Sequence, residues 1–417
     1  MAGEVYLTST LSKDNVPVTG QAQLVYALLE IMPTEVMAAV QMPLNFSLVL
    51  DKSGSMSGKK IQQVKDAVKY VIDLLGDQDR ISIITFSSST STLVGSQQVR
   101  SASDKESLKR KVDRLSARGG TTMAPAMRAG LSEVKKHWSP QCVNRLVLLT
   151  DGQTSGERNC KKETDNAAQD NVSIIALGIG TGWNEDLLLE IGAQSGGQAD
   201  YIANAHEIGQ YFQSAVQSMQ AAVVQNAVLT LRLVAGVDPR KVWRVVPIIS
   251  DLGYSPSSGR GITVPLGELE KGQGQALLVE LLLPARQAGT YRIAQAEIAY
   301  DVPLLNLVQE RVRADLMLSF THDPYLARQV NPRVMNIVEK VTAFKLQTRA
   351  LQEAELGDMA GATQKLRAAA TILLSQGDTD LARTVQLEAD KLEQQGQISD
   401  EGKKTIKFKS SKTVKLG

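Results

Sequence analysis

Between residues 44 and 222 the chain alternates short apolar runs with longer amphipathic segments, and this alternation restricts the fold more than any other feature. The mostly apolar runs cover residues 44–50, 81–86, 145–150 and 172–178. The amphipathic segments cover residues 59–75, 104–115, 125–138 and 186–194. Strands that are apolar throughout are typical of a parallel sheet that helices cover on both faces. The pattern predicts a doubly wound α/β (Rossmann-like) domain over residues 44–222, with its ligand site at the carboxyl ends of the strands.

A different pattern, with a period of two residues, flanks this domain. Leu229, Leu231 and Leu233 alternate with polar residues, and turn-like segments separate the strand-like runs that follow. Residues 1–43 also contain two strand-like runs around a turn, and a lone hairpin is barely stable in water. We therefore predict one antiparallel β-sandwich formed by residues 1–43 and 223–321, with the α/β domain inserted between its two parts.

The period becomes helical from residue 322 to residue 395. Val330, Val334, Ile337, Val341 and Phe344 form one apolar stripe. Two Gly-Asp pairs, at residues 357–358 and 377–378, each combine a helix-ending glycine with an aspartate N-cap for the next helix. The sequence predicts a C-terminal helical bundle of three helices. A packing module is favoured over a peptide-binding groove, because the repeats are too few for a solenoid.

Charge and cysteine content exclude several classes of function. The chain has 46 basic and 44 acidic residues, so it has no general attraction to nucleic acid or to an anionic membrane. Two cysteines, Cys142 and Cys160, and three histidines are too few for a zinc cluster or a disulfide framework, and we expect two reduced thiols rather than a regulatory pair. The first residues do not resemble a signal peptide, and no run reaches the ~20 apolar residues of a membrane span. We expect a cytoplasmic protein.

Oxygen-bearing side chains are concentrated where two of the predicted strands end. Asp51, Ser53 and Ser55 follow the first apolar run, Asp151 follows the third, and Thr121 lies in a Gly-Gly-Thr-Thr loop between them. Mg²⁺ prefers six oxygen ligands, which three hydroxyls and two carboxylates supply directly or through water. The set has no histidine or thiolate, which disfavours zinc and copper. The helix predicted to begin near residue 59 points its N-terminus towards these residues.

This set resembles the metal-ion-dependent adhesion site (MIDAS) of von Willebrand factor A (VWA) domains, and the resemblance covers residues 44–222. It implies that Ser53, Ser55 and Thr121 bind Mg²⁺, or Mn²⁺ or Ca²⁺, directly, while Asp51 or Asp151 or both act through water. It also implies that an Asp or Glu of a partner protein takes the last coordination position. A metal held only for stability is the alternative. Lys52 and Arg118 either add positive charge beside the incoming carboxylate or are ordinary solvated surface.

No motif in the sequence indicates catalysis. Residues 178–182 are glycine-rich after a strand, but they lack the complete dinucleotide fingerprint and a Walker lysine, so we reject nucleotide binding. His137, His206 and His322 do not stand beside a serine or cysteine in a nucleophile motif. We expect no enzymatic activity.

The last segment, residues 396–417, is polar and lysine-rich, and we predict disorder. It contains a short repeat that places Thr405 and Thr413 between basic residues. Such threonines resemble kinase sites that a forkhead-associated (FHA) domain reads after phosphorylation. A plain basic tail or a short added strand is the alternative.

Two functions follow from these features. The first is a metal-dependent adaptor that binds an acidic residue of a partner and is regulated by phosphorylation of the tail. By resemblance, its partners include an FHA-domain protein or a Ser/Thr kinase or phosphatase in a signalling, stress or conflict system. The alternative is a substrate-presenting or co-chaperone subunit of a MoxR- or chelatase-like ring ATPase.

Overall fold

The computed structural model describes residues 3–257 and 260–412, and these form two compact units. One unit comprises Gln41–Ala222. The other comprises the described residues up to Val40 together with those from Val223 onward. The chain thus leaves one unit, builds the other, and returns to complete the first.

The chain begins with strands of the discontinuous unit: β1 (Val5–Leu11), β2 (Asn15–Pro17) and β3 (Gln23–Pro33). β1 and β3 are antiparallel neighbours, with Leu7 opposite Ile31. Along β3, Val25, Ala27 and Leu29 alternate onto one face and are fully buried.

The inserted unit is a six-stranded sheet with helices between its strands. Its strands are β4 (Leu44–Asp51), β5 (Arg80–Phe86), β6 (Thr90–Gln98), β7 (Val143–Thr150), β8 (Ser173–Ile179) and β9 (Gln198–Ile202). Their order is β6-β5-β4-β7-β8-β9, and each pair is parallel except β5 with β6. Every residue of the central strands β4 and β7 is buried, which requires cover on both faces of the sheet.

Six helices provide this cover: α1 (Lys59–Leu74), α2 (Ala102–Asp113), α3 (Ala124–Lys135), α4 (Glu157–Gln169), α5 (Glu185–Gln194) and α6 (Ile208–Ala221). They pack in two groups, α1 with α2 and α6, and α4 with α3 and α5. Cys160 lies buried in α4, a helix that the apolar pattern of the sequence did not predict. Cys160, Thr164 and Ala167 form a short buried stripe at helical spacing, which is too weakly apolar to be recognised in the sequence.

The remaining strands complete a two-sheet sandwich: β10 (Ala222–Leu233), β11 (Asp238–Val246), β12 (Ser250–Asp251), β13 (Ser255–Ser257), β14 (Gly261–Glu270), β15 (Gln275–Leu283), β16 (Gly289–Val302) and β17 (Leu307–Thr321). The sheet orders are β1-β3-β15-β11-β12 and β13-β14-β10-β16-β17-β2. β3 lies between β1 and β15, so a strand from before the inserted unit completes a sheet built after it. The prediction of an α/β domain inserted in a β-sandwich is confirmed. The pairing of β2 with β17 is parallel.

The C-terminal region is helical: α7 (Pro324–Arg328), α8 (Pro332–Glu355), α9 (Met359–Ser375), α10 (Thr379–Gln395) and α11 (Asp400–Lys409). Asp358 and Asp378 cap α9 and α10 by accepting hydrogen bonds from the N–H groups of Gly361 and Leu381. The first half of α8 packs on the sandwich, where Val334 and Ile337 contact the same cluster as Leu28 of β3. Its second half packs with α9, α10 and α11. The predicted C-terminal helical domain is confirmed.

The predicted disorder of residues 396–417 is wrong for α11. Ser399 caps this helix by accepting the N–H of Gly402, and Ile406 and Phe408 are buried. Ile406 belongs to the core of the helical bundle, and burial of such side chains offsets the entropy of ordering the segment. After α11 the chain meets the sandwich, where the N–H of Ile249 donates to the carbonyl of Ser411 at 2.6 Å.

Among residues 3–257 and 260–412, no helix combines the length and the apolar character needed to cross a bilayer.

Candidate metal centre

Two of the proposed ligands lie at the carboxyl edge of the central sheet. β4 ends at Asp51 and its parallel neighbour β7 ends at Thr150, so Asp51 and Asp151 come to the same edge. Asp51 is completely buried. Its Oδ1 accepts the N–H of Ser53 at 2.7 Å, and its Oδ2 accepts the hydroxyl of Thr150 at 2.7 Å. Both oxygens are therefore fixed by groups of the two adjacent strand ends.

The two serine hydroxyls of the first loop lie side by side. Ser53 Oγ and Ser55 Oγ are 3.0 Å apart, and the hydroxyl of Ser55 donates to Asp151 Oδ1 at 2.6 Å. One chain of contacts thus joins the end of β4 to the end of β7. The extended backbone at Ser53 and the short 3-10 turn that follows it direct the serine side chains to this point.

The loop that carries Thr121 is joined to the first loop through the backbone. The N–H of Gly54 donates to the carbonyl of Gly119 at 2.9 Å, and the N–H of Arg118 donates to the carbonyl of Lys52 at 2.7 Å. A methyl group on Gly152 would lie 3.2 Å from Thr121 Oγ1 and 3.9 Å from Ser55 Oγ. Thr121 and Ser55 therefore line one narrow space, and the structure brings all five residues together.

Burial and hydrogen bonding have opposite effects on the pKa of Asp51. Burial raises the pKa of its carboxyl group above the usual range, while hydrogen bonds from Ser53 and Thr150 lower the pKa. The neighbouring charge of Asp151 raises it further. Two carboxylates held this close favour a cation between or beside them.

A lysine that we did not predict supplies such a charge. The ammonium group of Lys60, in the first turn of α1, contacts Asp151 Oδ2. The side chain of Asp151 is 0% exposed and that of Lys60 is 33% exposed. The sequence offered a weak signal, since a lysine follows the serine motif at the predicted start of a helix, but nothing there assigned it to Asp151.

The donor set fits a hard divalent cation. Adjacent oxygens around an octahedral Mg²⁺ lie about 2.9 Å apart when each is about 2.0–2.1 Å from the ion. Ser53 Oγ and Ser55 Oγ, which are hydrogen-bonded to each other at 3.0 Å, lie close enough together to serve as adjacent ligands of such an ion. In the part of the chain that the structure describes, no group of three or more His, Cys, Asp or Glu side chains is placed to hold a metal, so a cation here depends on the hydroxyl groups.

The glycine-rich segment after β8 has a structural explanation. A methyl group on Gly178 would lie 2.2 Å from the ring of Trp183, which is 2% exposed. The indole N–H of Trp183 donates to the carbonyl of Gly180 at 2.6 Å, and a methyl group on Gly182 would meet the carbonyl of Asp151 at 2.9 Å. The glycines therefore allow this loop to pack closely behind the end of β7.

Neither Cys142 nor Cys160 forms a disulfide bond, and burial makes both thiols poor nucleophiles. Burial raises the pKa of Cys160 to about 11 and also raises the pKa of Cys142. Protonated thiols react slowly in exchange and oxidation, so the geometry lends no support to a regulatory thiol pair.

Two family descriptions match separate parts of the chain. The von Willebrand factor type A domain matches residues 45–217, and the Sll0103-like C-terminal alpha-helical domain matches residues 332–416. The uncharacterized protein sll0103 of Synechocystis sp. is 30% identical over 384 residues, which are 90% of this chain and 89% of that protein. The E3 ubiquitin-protein ligase WAV3 of Arabidopsis thaliana is 25% identical over 354 residues, 83% of this chain and 44% of that protein.

A solved structure shows the same fold over nearly the whole chain. The von Willebrand factor type A protein from Catenulispora acidiphila superposes with a TM-score of 0.81 at 17% identity, covering 98% of this chain and 97% of that one. The similarity therefore extends beyond the inserted unit to the sandwich and the helical region. With the family matches and the whole-length relative, it leads to one conclusion: the chain belongs to the von Willebrand factor A domain proteins that carry an Sll0103-like C-terminal helical domain.

Proposed function

We propose that this chain is a metal-dependent protein-binding adaptor. Its Ser53, Ser55 and Thr121 hydroxyls hold a divalent cation such as Mg²⁺ or Mn²⁺, and Asp51 and Asp151 balance its charge directly or through water. An Asp or Glu of a partner protein completes the shell. The observation that carries the proposal is the adjacent pair of serine oxygens, 3.0 Å apart, linked to Asp151.

The neighbouring groups support a pre-formed site. Thr150 and the N–H of Ser53 fix both oxygens of Asp51 before any ligand arrives. The backbone bonds from Gly54 to Gly119 and from Arg118 to Lys52 hold the two ligand loops together. Outer groups of this kind orient metal ligands and reduce the entropy lost on binding.

The balance of charge explains why the partner group is acidic. Three of the five ligands are neutral hydroxyls, and Lys60 offsets one of the two carboxylates. A bound divalent cation supplies an electrophilic position for a carboxylate. In a partly desolvated site, a carboxylate from the partner forms a charge-assisted contact there that a neutral side chain does not match.

A binding function is favoured over hydrolysis because both carboxylates hold the site together. Both oxygens of Asp51 accept hydrogen bonds, and those of Asp151 contact Ser55 and Lys60. The von Willebrand factor A family commonly mediates interactions between proteins, in agreement with this proposal.

The proposal is tested by affinity purification from the source cell with the full-length chain as bait, in Mg²⁺ and in chelator. We expect a partner that is retained only in Mg²⁺ and is lost in Asp51→Ala and Ser53→Ala. Ser57→Ala is the matched control, because Ser57 is an exposed serine just beyond the loop. A partner that survives both chelation and the Ser53→Ala change would remove the metal from the mechanism.

Regulation by phosphorylation stays a prediction. Thr405 lies half-buried in α11 between the buried residues Lys404 and Ile406, and Thr413 lies outside the described residues. Kinases and FHA domains bind extended segments, so modification of Thr405 requires α11 to open. Phosphopeptide mapping of the protein from cells tests both threonines.

A further inference from the structure

Lys60 lies in the first turn of a helix, where a positive charge is normally unfavourable. Lys59 and Lys60 are the first two residues of α1, which has glycine at its N-cap, no side-chain cap and no acidic residue in its first turn. The N-terminus of a helix carries partial positive charge, so cations there are destabilising and anions are stabilising. Such a local conflict is expected where function requires it.

The contact of Lys60 with Asp151 explains the conflict. The side chain of Asp151 is 0% exposed, and its Oδ1 is already bound to the Ser55 hydroxyl. Without Lys60, its Oδ2 would be a buried negative charge with no ion-pair partner among the described residues. The ammonium group of Lys60 supplies the missing countercharge from a position that is itself 33% exposed.

We propose that Lys60 is a built-in counter-cation that sets the metal affinity of the site. It neutralises Asp151 while no metal is bound and competes with a divalent cation for that carboxylate. This inference rests on the proposed function, because it concerns the same five ligands.

The formal charges show how Lys60 changes the affinity of the site for a metal ion and for a carboxylate. Asp51, Asp151 and Lys60 together carry a formal charge of −1, and a divalent ion raises the charge of the site to +1. Without Lys60 the loaded site would be neutral. Lys60 therefore weakens the binding of the metal and leaves the loaded site positive, which strengthens its attraction for a carboxylate of a partner.

The test is calorimetric titration of the full-length chain with MnCl₂ and with MgCl₂ at neutral pH. We expect Lys60→Met to bind each ion at least about tenfold more tightly, the effect of removing one nearby charge from a partly exposed site. Lys60→Arg keeps the charge, and Lys59→Met removes an exposed lysine from the same turn. Both controls should bind within about twofold of the wild type.

A second measurement without metal guards against a trivial change in folding. In chelator, Lys60→Met should melt at a lower temperature than Lys59→Met, because Asp151 loses its countercharge. Unchanged or weaker metal binding by a folded Lys60→Met variant would overturn the role of Lys60 while leaving the metal site intact. Equal tightening by Lys59→Met would assign the effect to the helix end and would also overturn it. If neither wild type nor Lys60→Met binds metal, the proposed function fails as well.

Discussion

Thr150 illustrates how strongly single residues outside the ligand set control the site. It is the last residue of β7, it is 1% exposed, and its hydroxyl donates to Asp51 at 2.7 Å. The sequence placed Thr150 beside Asp151 but gave no indication that it bonds to Asp51. That contact depends on the register of β4 with β7, which a single sequence does not determine.

Thr150→Val keeps the shape of the side chain and removes the donor. We expect the affinity for Mn²⁺ to fall by roughly 10- to 100-fold, as when an outer-shell partner of a metal ligand is lost. Titration calorimetry measures this. Thr85→Val is the control, because Thr85 is similarly buried at the end region of the neighbouring strand β5. An equal loss in both variants would mean that Thr150 acts only through general stability.

Glu297 is a buried carboxylate of the sandwich that three arginines surround. Its side chain is 4% exposed and contacts the guanidinium groups of Arg232, Arg311 and Arg313. The hydrogen bond from Arg232 is the main reason that the pKa of Glu297 falls from 4.5 to about 2. Because the folded pKa lies below the unfolded one, the stabilisation is complete above about pH 4.5 and is lost as the pH falls towards 2.

Glu297→Gln should therefore lower the free energy of unfolding at pH 7 by about 1–2 kcal/mol, since the half-exposed arginines are screened by solvent. Urea denaturation of both proteins from pH 7 down to pH 2.5 measures the difference. The two free energies of unfolding should approach each other steadily as the pH falls from 4.5 to 2.5. A difference that is constant over this range would show that the charge of Glu297 is not the stabilising feature.

In the inserted unit, the sequence predicted the strands β4, β5, β7 and β8 and the helices α1, α2, α3 and α5, but it did not predict β6, β9, α4 or α6. β6 has one fully buried residue, Val94, and its other residues are polar or partly exposed. α4 buries Cys160, Glu163, Thr164 and Ala167, a stripe with little apolar character. Elements whose burial is decided by tertiary contacts leave only a weak periodic signal.

The prediction of disorder for the C-terminal segment was wrong for a related reason. Its high lysine content suggested disorder, but Ile406 packs in a core formed with residues of α8, α9 and α10, and Phe408 is buried as well. Composition shows how many apolar side chains a segment can bury. It does not show whether the rest of the chain provides a surface that covers them. The helix caps at Asp358 and Asp378 were predictable because capping depends on local chemistry alone.

The segment between β8 and α5 is closely packed against Gly178, and a substitution at this glycine tests the packing. Gly178→Ala places a methyl group 2.2 Å from the ring of Trp183, so the loop behind Asp151 must move. We expect a loss of roughly 1–3 kcal/mol in the free energy of unfolding, typical of overpacking. Gly209→Ala is the control, because nothing lies within 4 Å of a methyl group at that helical position. Chemical denaturation of the two variants compares them, and equal stabilities would contradict the packing role of Gly178.

The topology of the whole chain determines which of the two units can fold without the other. The unit Gln41–Ala222 is continuous in sequence and contains all six strands of its sheet. The sandwich instead needs β3, which lies between β1 and β15, so its C-terminal part alone lacks a central strand. The insertion was predictable because the two kinds of hydrophobic period change at residues near 44 and 222.

We therefore expect a fragment of residues 41–222 to fold alone and a fragment of residues 223–321, the C-terminal part of the sandwich, not to fold. Circular dichroism melting curves distinguish a cooperative transition from its absence. A peptide of residues 1–40 should restore a cooperative transition to the second fragment by supplying β3. Cooperative unfolding of residues 223–321 without the peptide would contradict the structural role of β3.

The proposed function depends on the binding of a divalent cation by the five oxygen-bearing residues of the inserted unit. Calorimetric titration of the full-length chain with Mn²⁺, comparing wild type, Ser53→Ala and Ser57→Ala, tests it most directly. We predict a single ion per chain for wild type and Ser57→Ala, and no measurable binding for Ser53→Ala. Absence of binding to the wild type, or undiminished binding to Ser53→Ala, would contradict the account.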